Sequence, residues 1–557
     1  MTNATKAPVK RTLVDRVAGY ADRVVGALDP ITGLKRAQHR MALSAYNDAG
    51  YIVPGSPRKS VKGWNAKLNS PSKDIDKKLS GIKSASRDLS MNSPVAAAIF
   101  RRYKTNVVGS GLQVQPQVDR EFLKLTDDQA DDLNDYLERN FDLWAMSFEA
   151  DYQGEKTFAE MQELLFTSFL INGDAFFALP TIDSRRAGWP FRTVMRLIDG
   201  DLVRNPTDQY LEAIGNTNAK IRNGVEYDTK GRLAAYWVSS SYPDEYGQTN
   251  STESFERISI FDPNGERQIF SLMDHERIGQ RRGIPFIAPA ISRLKMIDRY
   301  ADNELIASTI AAMMTVFVRD VDNTGASLGE GYNPSQVLGG GGSDDPDSAS
   351  EDKFDGEEFN IELGSANVVT LPGKTDISIA ESRQNRDEFA PYFNAMVTEA
   401  SACCSIPRDQ VMLDFQKSYS ALRGAALEAS KEWKVRKAKL VSRCNQIVYE
   451  AITAESIASG RIKAPKFFDD LLYRQAYCRS RWVGMGTGYL DPYKEALASE
   501  VKIKAALSTH EEEYQEVRGG RWRPMIERLG KEQQLKRDNG LVETEPDGRH
   551  EPNGGQL

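Results

Sequence analysis

Cysteine and histidine are scarce. Only Cys403, Cys404, Cys444 and Cys478, and His39, His275, His510 and His550, occur in 557 residues. No CxxC pair exists among them, so the ligand spacing of a structural zinc site is missing. The zinc-hydrolase signature HExxH is missing too, and no clear pair of carboxylates stands out. Long hydrophobic runs are also absent. The longest charge-free apolar stretch in a helix-like segment, Leu305–Val318, has 14 residues, short of the roughly 18 to 20 that span a bilayer. This excludes a multi-span membrane protein, and no membrane partner is expected. The Met1 end is polar and basic without an apolar h-region, so no secretory signal is expected. A reducing compartment fits, with disulfides neither required nor excluded.

What is present is a large globular composition. Twenty-two Phe, 21 Tyr and 7 Trp are too many for a chain disordered throughout. Length alone sets an expectation of about three or four domains. Lys and Arg number 72 against 79 Asp and Glu, a net charge of −7. Such a balance suits nucleic-acid contacts that are local or weak.

Charge is unevenly distributed. Nine Lys and Arg and two acids lie between Arg58 and Arg87, which makes residues such as Arg58, Lys59, Lys62 and Lys67 a candidate basic arm or a solvated tether. Gly339–Gly342 opens a Gly/Ser-rich stretch in which eight acids between Asp344 and Glu358 face only Lys353, the composition of a mobile loop.

Periodicity places the elements. Thr126 and Gln129 form a capping box before Leu133, Leu137, Phe141, Trp144 and Phe148, which recur at helical spacing. A second helix runs from about Thr157 to Leu170 and stops at Asn172-Gly173. Short apolar runs follow, among them Ala175–Leu179, Val194–Ile198, Leu233–Val238 and Ile258–Phe261, and predict a β-rich region. After Pro289 a long helix is predicted through Val318, apolar on nearly every face in its second half. Further helices are predicted over 387–404, ending before Pro407, and over 419–459, whose buried stripe includes Cys444. Between these two lies a polar loop. Asp491-Pro492 and the Thr509/Glu512 capping box start charged helices near the end, and Gly519-Gly520 break the run.

Chemical motifs are weak. Gly373-Lys374-Thr375 follows an apolar run, but Val368 stands where a phosphate loop needs its first glycine, and Pro372 removes a backbone donor. Gly109-Ser110-Gly111 begins a GxGxxG pattern that fails at Val114. No catalytic, cofactor or metal residues are assigned, and the expectation is a structural or assembly protein rather than an enzyme.

Several segments together resemble the lambda-family portal proteins of tailed bacteriophages. They are Arg87–Phe100 (RDLSMNSPVAAAIF), Asn106–Gln115 (NVVGSGLQVQ), Phe169–Phe176 (FLINGDAF) and His275–Pro289 (HERIGQRRGIPFIAP). Leu371–Gly373, Ile406–Asp414, Tyr419–Trp433 (YSALRGAALEASKEW) and the C-terminal LDPYKEALASE and LSTHEEE segments follow in the same order. No single motif is specific, whereas the ordered set is.

The resemblance implies an α+β, portal-type subunit with long stem and wing helices, a β-rich wing region, a small α/β clip and a helical crown. Mapped onto the periodicity, 1–39 is an N-terminal arm and 40–280 the wing. Residues 286–318 and 386–404 are stem helices flanking a clip at 319–376. Residues 405–418 form a tunnel loop, 419–459 a long wing helix, 460–537 the crown and 538–557 a disordered tail. The resemblance further implies a homo-oligomeric ring, usually a dodecamer, at one capsid vertex of the virion, built in the host cytoplasm. Through it double-stranded DNA is packaged and ejected without sequence specificity. The major capsid protein, the terminase large subunit and a head-completion or adaptor protein are the implied partners, with no cofactor. Within that frame Leu305, Ile310, Ala312 and Met313 are candidates for stem packing. Arg408 and Lys417 are candidates for brief phosphate contacts in the tunnel or for ion pairs. Two rival readings stand beside it: a packaging NTPase or nuclease resting on Gly373-Lys374-Thr375, and another DNA-binding minor head protein using the Arg58–Arg87 run.

Overall fold

The computed structural model describes residues 66–183, 186–213, 220–242, 254–263, 265–312, 316–320, 375–379, 386–416, 418–486, 488 and 491–541. The chain divides into two compact units, Met1–Ser70 and Pro71–Leu557, and the elements below belong to the second.

Helices α1 (Leu79–Asn92) and α2 (Pro94–Val107) are separated by Ser93, with Pro94 supplying the pre-set φ of a first helical turn. A glycine turn then leads to β1 (Gln113–Pro116). Gly111, at φ +101°, has no room for a Cβ against Ala159. Helix α3 (Asp127–Ala145) starts at the Thr126/Gln129 capping box and buries Leu137, Phe141 and Trp144. Helix α4 (Phe158–Asn172) starts at a Thr157/Glu160 box and stops where Gly173 turns left-handed, at φ +86°.

The sheets are small. β2 (Asp174–Ala178) lies between β3 (Arg196–Asp199) and β8 (Ile269–Met273), antiparallel to both. β4 (Lys220–Arg222), β5 (Val225–Tyr227), β6 (Leu233–Ser239) and β7 (Phe255–Ser259) form a four-stranded antiparallel sheet. β2 is buried on both faces, and its alternation feeds two cores. Phe177 stacks on Phe270 in the main core, while Phe176 meets Tyr236 in a smaller core between the sheets. The main core also holds Phe141, Trp144, Phe158, Tyr449 and Trp482, with ring centroids 5.4–6.4 Å apart.

Two helices leave this core side by side. α5 (Ile291–Ala312) and α6 (Arg386–Cys403) are antiparallel: Arg293 pairs with Glu399 at 3.1 Å, and Tyr300 packs on Phe389 and Tyr392 at 5.4 and 4.8 Å. β9 (Val316–Asp320) and β10 (Thr375–Ile379) pair antiparallel at the far end. The short helix α7 (Arg408–Met412) precedes α8 (Tyr419–Leu440), a π-helical turn at Val441–Asn445 and α9 (Gln446–Ala458). β11 (Ser480–Val483) pairs with β1, and helices α10 (Pro492–Lys504), α11 (His510–Val517) and α12 (Trp522–Asp538) follow.

Several predicted boundaries need correction. The helix expected through Val318 ends at Ala312, and its last apolar residues form β9, because Val316 and Val318 are β-branched and pair with β10. Phe148 leaves the α3 stripe for a 3₁₀ turn and is exposed. The helix expected over 419–459 carries a π turn in its middle. The loop over 405–418 contains α7. The acidic stretch 344–358, Gly373-Lys374 and the tail beyond 541 lie outside the described residues.

Candidate functional site

A buried charged cluster centred on Asp174 lies within the body from which the α5/α6 hairpin leaves. Asp174 opens β2 directly after the Gly173 helix stop, and its carboxylate is fully buried. Lys83 of α1 donates to Asp174 Oδ1 at 2.9 Å. Arg282 donates through Nε to Oδ2 at 2.6 Å and through Nη2 to Oδ1 at 3.2 Å, and the backbone N–H of Gly283 donates to Oδ2 at 3.1 Å. The rest of the Arg282 guanidinium donates to the carbonyls of Val203, Asn223 and Gly200. Burial alone would raise the Asp174 pKa. The Arg282 and Lys83 charges and their hydrogen bonds outweigh it and hold the carboxyl down at about 2. Arg87 extends the cluster, with Asn172 at 2.7 Å and Asp201 at 2.6 Å.

Three glycines make this possible. A Cβ at Gly200 would overlap Asp174 Oδ1 and lie 3.1 Å from Lys83 Nζ. Gly173 and Gly283 pass so close that a Cβ on either would run into the other's segment. A cavity of about 650 Å³ opens beside the cluster. The charges of Lys83, Arg87 and Asp201 that line it are already paired with one another.

The hairpin is tied to this body on its inner side. Leu294 and Ile297 of α5, and Val397 and Ala400 of α6, are buried. Ser93 donates to Asp298 at 3.0 Å, and Tyr103 donates to the carbonyl of Cys404. Arg436 of α8 lies 4.3 Å over the Phe286 ring and pairs with Asp274 at 3.1 Å. Burial pushes the Cys404 thiol up to about 12, so it packs as a small apolar group.

Farther along the hairpin, burial stops. Leu305 is 70% exposed and Ile306 57%, and Tyr392 on α6 is exposed as well. Ile310 and Ala312 lie on the last turn of α5, and Met313 is outside the described residues.

After α6 the chain turns at Ser405 and dips back, burying Ile406 and Val411. Arg408 is held by Asp409 at 3.1 Å and Asp414 at 2.9 Å, so its charge is spent within the loop. Leu413, in a left-handed conformation, and Phe415 point outward. Arg408, Asp409 and Asp414 thus bond to one another, while Met412, Leu413 and Phe415 are exposed. Lys417 lies outside the described residues.

Of the basic arm, Lys67 is exposed, and Arg58, Lys59 and Lys62 lie outside the described residues. Lys83 and Arg87, from the same run, belong instead to the buried cluster: opposite charges distant in sequence neutralise them. Among the described residues, no group of three His, Cys, Asp or Glu could hold a metal, and no helix is long and apolar enough to cross a membrane. Sequence reasoning missed Asp174, Arg282 and Lys83 as a unit. The available signal was a lone acid between a Gly helix stop and an apolar strand, together with an Arg-Arg-Gly between Gly279 and Pro285.

The profile of the family described as phage portal protein, lambda family, matches residues 58–437. The probable portal protein of Halomonas phage phiHAP-1 is 24% identical, over 79% of this chain and 78% of that protein. The portal protein of Escherichia phage N15 is 22% identical, over 84% and 88%. Portal protein B of Escherichia phage lambda is 21% identical, over 86% and 90%. Among solved structures, the neck of a native gene transfer agent particle computed with C12 symmetry aligns with a TM-score of 0.41 and 10% identity, covering 79% of this chain and 92% of that one. The profile match spans well over half of the chain, and the named portal proteins are matched over 78%, 88% and 90% of their lengths, so this chain belongs to the lambda family of phage portal proteins and has the role of a portal.

Proposed function

We propose that copies of this chain close into a ring, a dodecamer, at one vertex of the capsid. Double-stranded DNA enters through it during packaging and leaves through it during ejection. The ring does no catalysis of its own. It offers docking faces to a terminase motor, to head-completion proteins and to the capsid shell, and it assembles in the host cytoplasm before residing in the virion.

One observation carries this reading: a helical hairpin whose base is locked into a core while its outer half leaves Leu305 and Ile306 in water. Large apolar side chains on one rod face are the mark of a surface awaiting a partner. Neighbouring copies would bury them, at about 25 cal/mol per Å² of apolar area. In this reading α5 and α6 are the stem, the segment between them is the clip, and the helices after 460 are the crown. The β-rich body with α8 and α9 is the wing, and the loop over 405–418 faces the tunnel. Arg408 is already neutralised by Asp409 and Asp414, so the loop would present Leu413 and Phe415 to a passing duplex. Such a surface lets DNA slide, because few phosphates are neutralised and few counterions released.

The test is the mass of the purified full-length chain, with an electron-microscopy end view. The expected result is a ring with an opening wide enough for a B-form duplex. Single copies at high protein concentration would overturn the reading.

A further inference from the structure

The last helix is held to the body by charge rather than by hydrocarbon. No side chain of α12 is buried, Trp522 and Met525 are half-buried, and every residue from Ile526 to Asp538 is exposed. Two arginines attach it. Arg521, just before α12, donates through Nη1 to Asp142 Oδ2 at 2.6 Å and through Nη2 to Asp142 Oδ1 at 2.9 Å. It also lies 2.6 Å from Glu138 Oε1, and its Nε donates to the carbonyl of Val114 at 3.1 Å. Arg523 pairs with Asp131 at 2.6 Å and with Asp135 at 3.5 Å. Asp131, Asp135, Glu138 and Asp142 recur at three- and four-residue steps, which puts them on one face of α3.

The chain is fixed up to the point where this attachment begins. A Cβ on Gly519 would run into Gly486 N and Gly484 O, so that residue is locked against the segment after β11. The N–H of Gly520 donates to the Gly484 carbonyl at 3.2 Å, whereas a Cβ there would meet nothing. Both glycines are left-handed, at φ +71° and +74°. A hinge therefore stands between an immobile anchor and the two arginines. Water reaches the pairs beyond it. The Arg523 and Asp131 side chains are 47% and 51% exposed, and a cavity of about 340 Å³ opens beside Arg521, Glu138 and Asp135. Ion pairs so placed weaken as salt screens them. Off the body, a 17-residue helix carrying Gly530 is marginal in water.

We propose that α12 is a detachable arm, hinged at Gly520 and latched to the acidic face of α3 by Arg521 and Arg523, which raised ionic strength releases and unwinds. Arg521 is the pin, because it is only 14% exposed and bridges two carboxylates and a carbonyl. Arg523 adds to it at the rim. Release frees two guanidinium groups and uncovers four carboxylates at once. The latch lies within one copy, so it does not depend on ring closure.

Hydrogen–deuterium exchange of the full-length protein, read peptide by peptide by mass spectrometry, tests the latch. Between about 50 and 500 mM sodium chloride, peptides from 522–538 should come to exchange on the order of tenfold faster, while those of the core helix α4 should not change. Salt also screens the Arg528–Glu532 pair within α12, so two variants separate the latch from the helix itself. Arg521→Gln should exchange fast already at low salt and lose most of the salt dependence. Asp142→Ala leaves α12 untouched and should do the same from the α3 side. Slow exchange of α12 in either variant, or in the wild type at high salt, would overturn the proposal. So would an equal acceleration of α5 peptides, which would mean that copies separate or that the whole chain loosens.

Discussion

The cluster around Asp174 and the outer half of the α5/α6 hairpin invert the usual placement of charge and hydrocarbon. At Asp174, three charged side chains are almost wholly removed from water, and each finds partners within the same chain. Along the hairpin, Leu305 and Ile306 stay in water although a well-packed core lies a few turns away. A buried charge network adds little net stability compared with apolar packing, but breaking it is expensive. It therefore holds the relative positions of α1, β2 and the segment through Arg282. The exposed stripe stabilises nothing within one copy. In the proposed ring, the hairpin would be finished by association with the adjacent copy.

Breaking the body side should give the largest effect. Asp174→Ala leaves Lys83 and Arg282 buried without their shared acid. The loss should be about 3–5 kcal/mol of unfolding free energy, read by denaturant titration, or a failure to accumulate folded protein. Loss of less than 1 kcal/mol would mean that the cluster does not organise the body. Gly200→Ala comes next. Its Cβ would press on Asp174 Oδ1 and Lys83 Nζ, and a shift of backbone or side chains should cost about 1–3 kcal/mol by the same titration.

Acid should separate the two regions without mutation. The Asp174 carboxyl titrates at about 2 in the folded chain against an ordinary 3.8. A depressed acid pKa contributes stability that is fully present above 3.8 and is lost as the pH falls from there toward 2. The contribution is on the order of 2 kcal/mol. Near-ultraviolet circular dichroism should thus hold steady from pH 7 to about 4 and collapse below it, with Trp237 and Tyr236 reporting from the adjoining small core. Asp174→Asn should remove that part of the acid transition.

Much of the body was legible because its signals are local. The capping boxes at Thr126/Gln129 and Thr509/Glu512 form as their spacing predicts. The FLINGDAF segment reads as a helix, a Gly stop and a strand, and it folds as all three. The fate of Lys83 and Arg87 was not legible. Their acids lie far along the chain, at Asp174 and Asp201, so a count of neighbouring charges placed both in a run read as a basic arm or a solvated tether. The end of α5 failed for another reason. A short apolar run carries no period that separates helix from strand, and pairing with β10, more than fifty residues away, decides it. The loop over 405–418 was polar in composition, but composition does not tell which side chains bond inward. Arg408 does so, and Leu413 and Phe415 do not.

The smallest effect on a single copy should come from the hairpin, and it sharpens the contrast most. Leu305→Asp and Ile306→Asp replace exposed side chains, so unfolding free energy of the dissociated chain should move by no more than about 0.5 kcal/mol. In a ring the same residues would lie against the adjacent copy. Each copy would then bury an unpaired carboxylate, at a cost of several kcal/mol repeated at every contact. Mass photometry should find rings for the wild type and single folded copies for either variant, with unchanged circular dichroism. Rings of normal mass would show that these faces do not meet, and the association surface would have to be sought on the body instead. If either variant unfolded, the stripe would be serving its own chain, and the contrast between a finished body and an unfinished hairpin would fail.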